Sequence, residues 1–289
     1  MKIIFITFGG PTPNYHAAVK RLCAQAKSFN VFDQVIGYTD KDLIGFSGFY
    51  NMHKDFIKNN SRGYGYWIWK PFLILENLIN MQEGDLLFYC DAGCELNIKG
   101  KENFLQLLSR ARNNLISATR GGSDDYRYSK VDLINFLNMD KDLYLLKKPQ
   151  VQAGVLIIKK TAKALELFEE YYDICSQHYN FIDDSQSDTE NHIGFVENKH
   201  DQSVFSLLVK KHKLINFDID KYIFNNNFLN RSTYPIFVIR NRSGISLINN
   251  YINRYPVWLV KIVGIVGNLL STHLPRVYCI LKGFFPDQP

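Results

Sequence analysis

Three strand-length runs in this chain leave little room for water on either face: IIFITF at residues 3–8, LLFYC at 86–90 and the run Val151–Ile158. Alternating apolar and polar positions would mark a strand with one wet face; a continuous apolar run marks a strand covered on both. The intervening segments carry the covering material. Asn14–Ser28 places Tyr15, Val19, Leu22 and Ala26 on one helical stripe. Trp69–Met81 repeats Phe72, Leu75, Leu78 and Ile79 at helical spacing, with Pro71 suited to a first turn. Further helices are expected over Glu102–Arg112, Lys130–Leu137, Ala162–His178 and Asp201–Lys211, and further strands over Gln34–Tyr38, Leu115–Thr119 and Leu214–Phe217. Alternation of this kind predicts an α/β fold with a mostly parallel sheet flanked by helices. Ligands of such sheets sit at the carboxyl ends of the strands.

The rest of the sequence narrows the class. Hydrophobic content of 46% and charge of 21% in 289 residues describe a folded chain of one or two domains. Five cysteines, Cys23, Cys90, Cys94, Cys175 and Cys279, show no paired spacing, which argues against a disulfide framework and for a reducing compartment. The apolar start, Ile3–Phe8, is too short for a secretory leader and too short to span a bilayer. The polar run Asp183–Asn191 reads as an exposed loop, or as a lid over a site.

Charge is unevenly placed. Seven basic residues and one acid beyond residue 230 account for the whole net charge of +6. Within that tail, Pro256–Leu270 is apolar, interrupted by Lys261 and shorter than a membrane span. A basic, apolar, aromatic-flanked segment suits a helical extension lying on an anionic membrane surface. A helical subdomain packed on the core is the other reading. Basic clustering is too sparse for a nucleic-acid binder.

Four stretches carry candidate chemistry. In LLFYCDAGCEL a buried strand runs into Asp91, with Gly93 able to admit close backbone approach and Glu95 four residues on. A carboxylate there suits a ribose hydroxyl, or a divalent cation (Mn²⁺ or Mg²⁺) bridging to a diphosphate. Asp-Ala-Gly is also an ordinary turn sequence. In HDQSVFSLL, Asp201 is a candidate general base or a helix cap, and His200 a candidate metal ligand beside Asp91 and Glu95. In GYGYWIWKPF, Tyr66, Trp67 and Trp69 offer stacking faces, and Lys70 opens a helix where phosphate is favoured. In QVQAGVLII, Gln152 stands at the start of a buried strand.

The order YWIWKP, FYCDAGCE, YSKVDL, VQAGVLIIKK and HDQSVFSLL resembles bacterial glycosyltransferases of the GT-A fold, the kind that builds capsule and lipopolysaccharide O-antigen. The likeness covers about residues 1–220. It implies a GT-A-like catalytic domain over 1–230 and an extension over 231–289. It implies transfer from a nucleotide sugar, a UDP-sugar with UDP-galactofuranose among the candidates, to a hydroxyl of a glycan or lipid-linked glycan. The expected location is the cytoplasm, peripheral at the inner face of the plasma membrane. Asp91 would take the place of the first acid of the family's Asp-x-Asp motif, and Asp201 that of the base in inverting members. Gly93 departs from the motif, which puts the cation in doubt and keeps open a catalytically inactive sugar- or nucleotide-binding protein of the same fold. A nucleotidyltransferase would need an early basic residue in FGGPTPNYH, which is absent.

Overall fold

The computed structural model describes residues 1–224 and 233–248. The strands are β1 (Ile3–Phe8), β2 (Gln34–Tyr38), β3 (Leu86–Cys90), β4 (Cys94–Leu96), β5 (Ile116–Asp124), β6 (Pro149–Lys159), β7 (Ile215–Asp218), β8 (Ile223–Phe224) and β9 (Ile236–Val238). Six of them form one sheet in the order β2-β1-β3-β6-β5-β7. β1 pairs parallel with β2 and β3, and β5 parallel with β7; β6 runs antiparallel to both its neighbours. The sheet is therefore mostly parallel, as expected, with one reversed strand. That reversal brings the amino end of β6 to the edge where β1, β3, β5 and β7 end.

The continuous apolar runs fold as their pattern requires. Ile4, Ile6, Phe8, Leu87 and Tyr89 enter one core with Leu156 and Ile158, while Ile3, Phe5, Leu86, Phe88 and Cys90 enter the other with Val155 and Ile157. Helix Trp69–Ile79 is buried along most of its length and packs against helix Ala162–Gln177. The second face is closed by aromatic rings: Phe88 and Phe104 meet at 5.5 Å, and Phe29 and Phe104 at 4.8 Å.

Helix Ser47–Asn59 was not expected from the sequence. Its inward face carries Phe49, His53 and Ile57. His53 is fully buried between two tyrosine hydroxyls, Tyr179 at 2.7 Å from Nδ1 and Tyr172 at 3.1 Å from Nε2. Burial lowers its pKa to about 4. The unfolded chain therefore binds this proton first, at ~6.5, so stability contributed by neutral His53 is lost as pH falls through the window from 6.5 to 4. Urea unfolding at pH 7 and pH 4.5 should differ by about 2 kcal/mol from this group. His53→Phe should flatten the slope; an unchanged slope would show that His53 does not set it.

A second small sheet joins β4, β9 and β8, with Cys94 opposite Val238 and Leu96 opposite Ile236. Part of the expected extension, residues 233–248, is thus built into the same body as β4. Pro256–Leu270 lies outside the described residues. No described helix is long and apolar enough to cross a membrane.

Candidate active site

The strand order reverses at β1: the chain passes from β1 to β2 on one side, then to β3 on the other. In an open α/β sheet that reversal leaves a crevice beyond the carboxyl ends of the two diverging strands. β1 is followed there by Gly9-Gly10, and β3 by Asp91. The Asp91 N–H donates to the Gly154 carbonyl at 2.8 Å, which fixes the turn against β6. A Cβ on Gly154 would stand 3.0 Å from Asp91 Oδ2, so a larger residue there would push the carboxylate aside by a few tenths of an ångström.

The Asp91 side chain is 40% exposed, whereas the cation behind it is not: Lys70 is 4% exposed. Lys70 Nζ lies 3.6 Å from Asp91 Oδ1 and 3.0 Å from Asp201 Oδ2. The Tyr89 hydroxyl donates to Asp91 Oδ1, and the Tyr171 hydroxyl donates to Asp201 Oδ2 at 2.9 Å. Burial pulls the Lys70 pKa down, but the two carboxylates outweigh it and leave it raised; the ammonium stays charged. Burial pushes Asp201 up, with Lys70 and Tyr171 opposing. Asp91 and Asp201, far apart in sequence, are joined by one ammonium.

These positions alter several expected roles. Asp201 is the first residue of helix Asp201–Lys211, yet its side chain neither caps that helix nor reaches an incoming hydroxyl. At 3% exposure and bound to Lys70 and Tyr171, it is a buried counter-ion, not an accessible base. Lys70 does open its helix, but its ammonium turns into the core instead of toward a phosphate. Trp69 is buried too. It packs against Phe8 with ring centres 3.9 Å apart and planes tilted by 30°, and donates Nε1–H to the Gly63 carbonyl at 2.9 Å, so it offers no free face.

The segment before Lys70 is neither extended nor right-handed. Gly63, Tyr64, Gly65, Tyr66 and Trp67 all have positive φ, between 50° and 81°. Tyr66 N–H donates to Arg62 O at 2.8 Å and Trp67 N–H to Gly63 O at 3.1 Å, closing a left-handed turn. Each non-glycine residue there costs about 1–2 kcal/mol, a strain that marks functional segments. The turn aims Tyr66 and half-buried Trp67 at His200, with ring centres 5.0 and 5.3 Å away. The Tyr66 hydroxyl donates to Asp184 at 2.8 Å, which ties this turn to the 183–191 loop.

Gln152 reaches the same edge of the sheet because β6 is reversed. It is half-buried, and the Thr119 hydroxyl donates to its Oε1 at 2.7 Å. Beneath it, Gln150 donates to Asp125 at 2.9 Å and Gln202 donates to Gln150 at 3.0 Å. This buried amide chain anchors the start of β6, and Gln202 and Tyr89 were not singled out in the sequence.

The residues present do not fit a divalent cation held by Asp91, Glu95 and His200. Glu95 is fully buried, and Asn241 Nδ2, the Ser246 hydroxyl and Leu247 N–H donate to it at 2.6, 2.6 and 2.8 Å. Gln25 Nε2 donates at 2.9 Å, and Arg21 stands 3.3 Å away. Its lone pairs are committed to holding residues 241–248. His200 Nδ1–H donates to the Ile182 carbonyl at 2.7 Å, and its Nε2 lies 3.9 Å from Asp184, among different residues. Burial lowers the His200 pKa. No three His, Cys, Asp or Glu side chains among the described residues are grouped to hold a metal. Glu95→Gln turns an amide toward the Asn241 and Gln25 donors and leaves Arg21 without its counter-ion. It should cost about 3 kcal/mol in equilibrium unfolding, with residues 240–248 becoming sensitive to limited proteolysis; unchanged stability would refute this clamp.

No protein-family model matches the sequence, and no curated protein matches it. Solved structures resemble it at low identity. Mouse xyloside xylosyltransferase 1 in its apo form is 12% identical over 85% of this chain and 100% of that one, with a TM-score of 0.45. The galactosyltransferase LgtC with donor and acceptor sugar analogues is 15% identical over 82% and 86%, with a TM-score of 0.43. A glycosyltransferase involved in the glycosylation of the major capsid of PBCV-1 is 10% identical over 82% of this chain and 92% of that one, with a TM-score of 0.40.

Proposed function

We propose that the chain is a glycosyltransferase of GT-A-like fold that moves a sugar from a nucleotide-sugar donor to an acceptor hydroxyl. The observation that carries this reading is the half-exposed Asp91 carboxylate at the sheet's switch point, backed by the buried Lys70–Asp201 pair. A fixed carboxylate there accepts hydrogen bonds from the hydroxyls of a ribose or donor sugar. Lys70 and the Tyr89 hydroxyl hold Oδ1, which leaves Oδ2 facing Gly154 as the accepting atom. Asp201 acts through Lys70. Gln152 and Trp67 are the remaining half-buried polar and aromatic groups that meet substrate.

The reaction is a displacement at the anomeric carbon. The acceptor oxygen forms the new bond to that carbon and gives its proton up to solvent water. The bond to the diphosphate oxygen breaks, and its electron pair leaves with the nucleoside diphosphate. Inversion is the outcome this reading favours. A UDP-sugar donor, UDP-galactofuranose included, and a bacterial surface glycan on a lipid carrier are the substrate classes suggested by the resemblance. A cytoplasmic enzyme at the inner membrane face would meet them.

A panel of nucleotide sugars tests the reading, by thermal shift and by release of nucleoside diphosphate in the presence of acceptor glycans. One donor should raise Tm and be consumed. Binding without consumption would favour a sugar-binding protein of the same fold, and no binding by any donor would end the proposal.

A further inference from the structure

The Asp91 site holds two carboxylates against one ammonium, and a donor diphosphate brings more negative charge to it. Charge compensation must come from somewhere, and the described residues do not assemble a metal site. They do bring cations from an unexpected direction. β9 runs antiparallel to β4, and the chain beyond it lies across the Asp91–Gly93 turn. Asn241 N–H donates to the Gly93 carbonyl at 2.7 Å. A Cβ on Gly93 would stand 3.3 Å from the Arg240 Cα. An acid at position 93, as an Asp-x-Asp motif requires, would therefore crowd this strand. The departure from the motif and the close passage of residue 240 are one packing solution.

Arg240 is exposed and adopts a φ of +54°, a conformation that costs a non-glycine residue energy. Its neighbour Arg242 places its guanidinium 5.6 Å from the Tyr15 ring centre. Tyr15 flanks the glycine turn that ends β1, since a Cβ on Gly9 would lie 2.8 Å from the Tyr15 carbonyl oxygen. The backbone at Arg240 thus passes over the turn that follows β3, and the Arg242 guanidinium lies beside the turn that follows β1. Buried Arg21 anchors the segment carrying both arginines, donating to the carbonyls of Ala92 at 2.8 Å, Cys94 at 3.1 Å, Asn241 at 2.9 Å and Ser243 at 2.9 Å. The same guanidinium holds both the Asp91 turn and the Arg240 segment, so the two are fixed relative to each other.

We infer that transfer needs no divalent cation and that Arg240, carried over the Asp91–Gly93 turn by the C-terminal segment, is the cation that meets the donor's diphosphate. Guanidinium groups suit this task, because their planar donors pair with two phosphate oxygens at once and stay charged throughout. As the bond from the anomeric carbon to the diphosphate breaks, the electron pair collects on the departing oxygen. Arg240 stabilises that charge, with Arg242 alongside. The inference rests on the glycosyltransferase reading above.

The experiment uses the full chain with its best donor from the nucleotide-sugar panel, in excess EDTA and again with Mn²⁺ or Mg²⁺. Transfer should persist in EDTA and change by less than about twofold on metal addition. Arg240→Ala should lower kcat/KM by about 10²-fold, and Arg240→Lys should recover part of it. Independently of turnover, binding of UDP or GDP by calorimetry in EDTA should weaken about tenfold in Arg240→Ala, with a shallower salt dependence. Transfer that EDTA abolishes and metal restores would overturn the inference and leave the glycosyltransferase reading standing. So would an Arg240→Ala enzyme within a few-fold of the parent. No donor turned over under either condition would overturn both.

Discussion

Replacing Lys70 with Met should destabilise the protein by about 3–5 kcal/mol at pH 7 and abolish transfer. The ammonium is buried between Asp91 and Asp201. Removing it strands the Asp201 carboxylate in the core with the Tyr171 hydroxyl as its remaining described donor. A buried, unpaired carboxylate prefers its proton, so the folded-state pKa of Asp201, already raised, rises further. The folded state then binds this proton more readily than the unfolded state. Stability of the variant should therefore recover as pH falls from 7 toward 5. The double variant Lys70→Met with Asp201→Asn removes both charges and should restore most of the lost stability, with the coupling read from a double-mutant cycle. Transfer should stay absent in the double variant, because Asp91 has lost its anchor. Two single substitutions whose costs simply add would refute the pairing.

Asp91→Asn should leave the fold intact and lower transfer by about 10²–10³-fold. The position is half open to solvent, and Lys70 keeps Asp201 as its closer partner, so the core loses little. The amide retains one oxygen but brings an N–H₂ to a site where the Tyr89 hydroxyl and the Lys70 ammonium are already donors. Circular dichroism and Tm should match the parent, while kcat/KM against the best donor falls. Transfer within a few-fold of the parent, with the fold intact, would remove Asp91 from the mechanism.

The sequence determined the layered architecture, because pattern and burial are tied by short-range physics. A run such as Leu86–Cys90 is a doubly covered strand wherever it sits, and helix Trp69–Ile79 follows from its spacing and Pro71. The strand ending on Asp91 was equally legible, and so was its place at the carboxyl edge. β5 was read too short, ending at Thr119, because Arg120-Gly121-Gly122 resembles a turn. Pairing with β6, Arg120 opposite Val151 and Asp124 opposite Pro149, carries the strand on. Helix Ser47–Asn59 carried a usable signal in Phe49, His53 and Ile57, hidden because a histidine occupies the middle of the apolar stripe.

What the tertiary structure alone decided is which charges meet. Nothing local distinguishes Lys70 facing a phosphate from Lys70 buried under Asp91, since both open a helix. The choice depends on Asp201 arriving from a helix 131 residues further along the chain. Glu95 reads in sequence as a partner for Asp91, yet β4 sends it to the opposite task of clamping residues 241–248. Arg240 reads as part of a basic tail, yet the pairing of β9 with β4 lays it across the Asp91 turn. Apolar periodicity survives being read one residue at a time. Electrostatic roles do not, because a charge takes its function from partners that only the fold brings within a few ångströms.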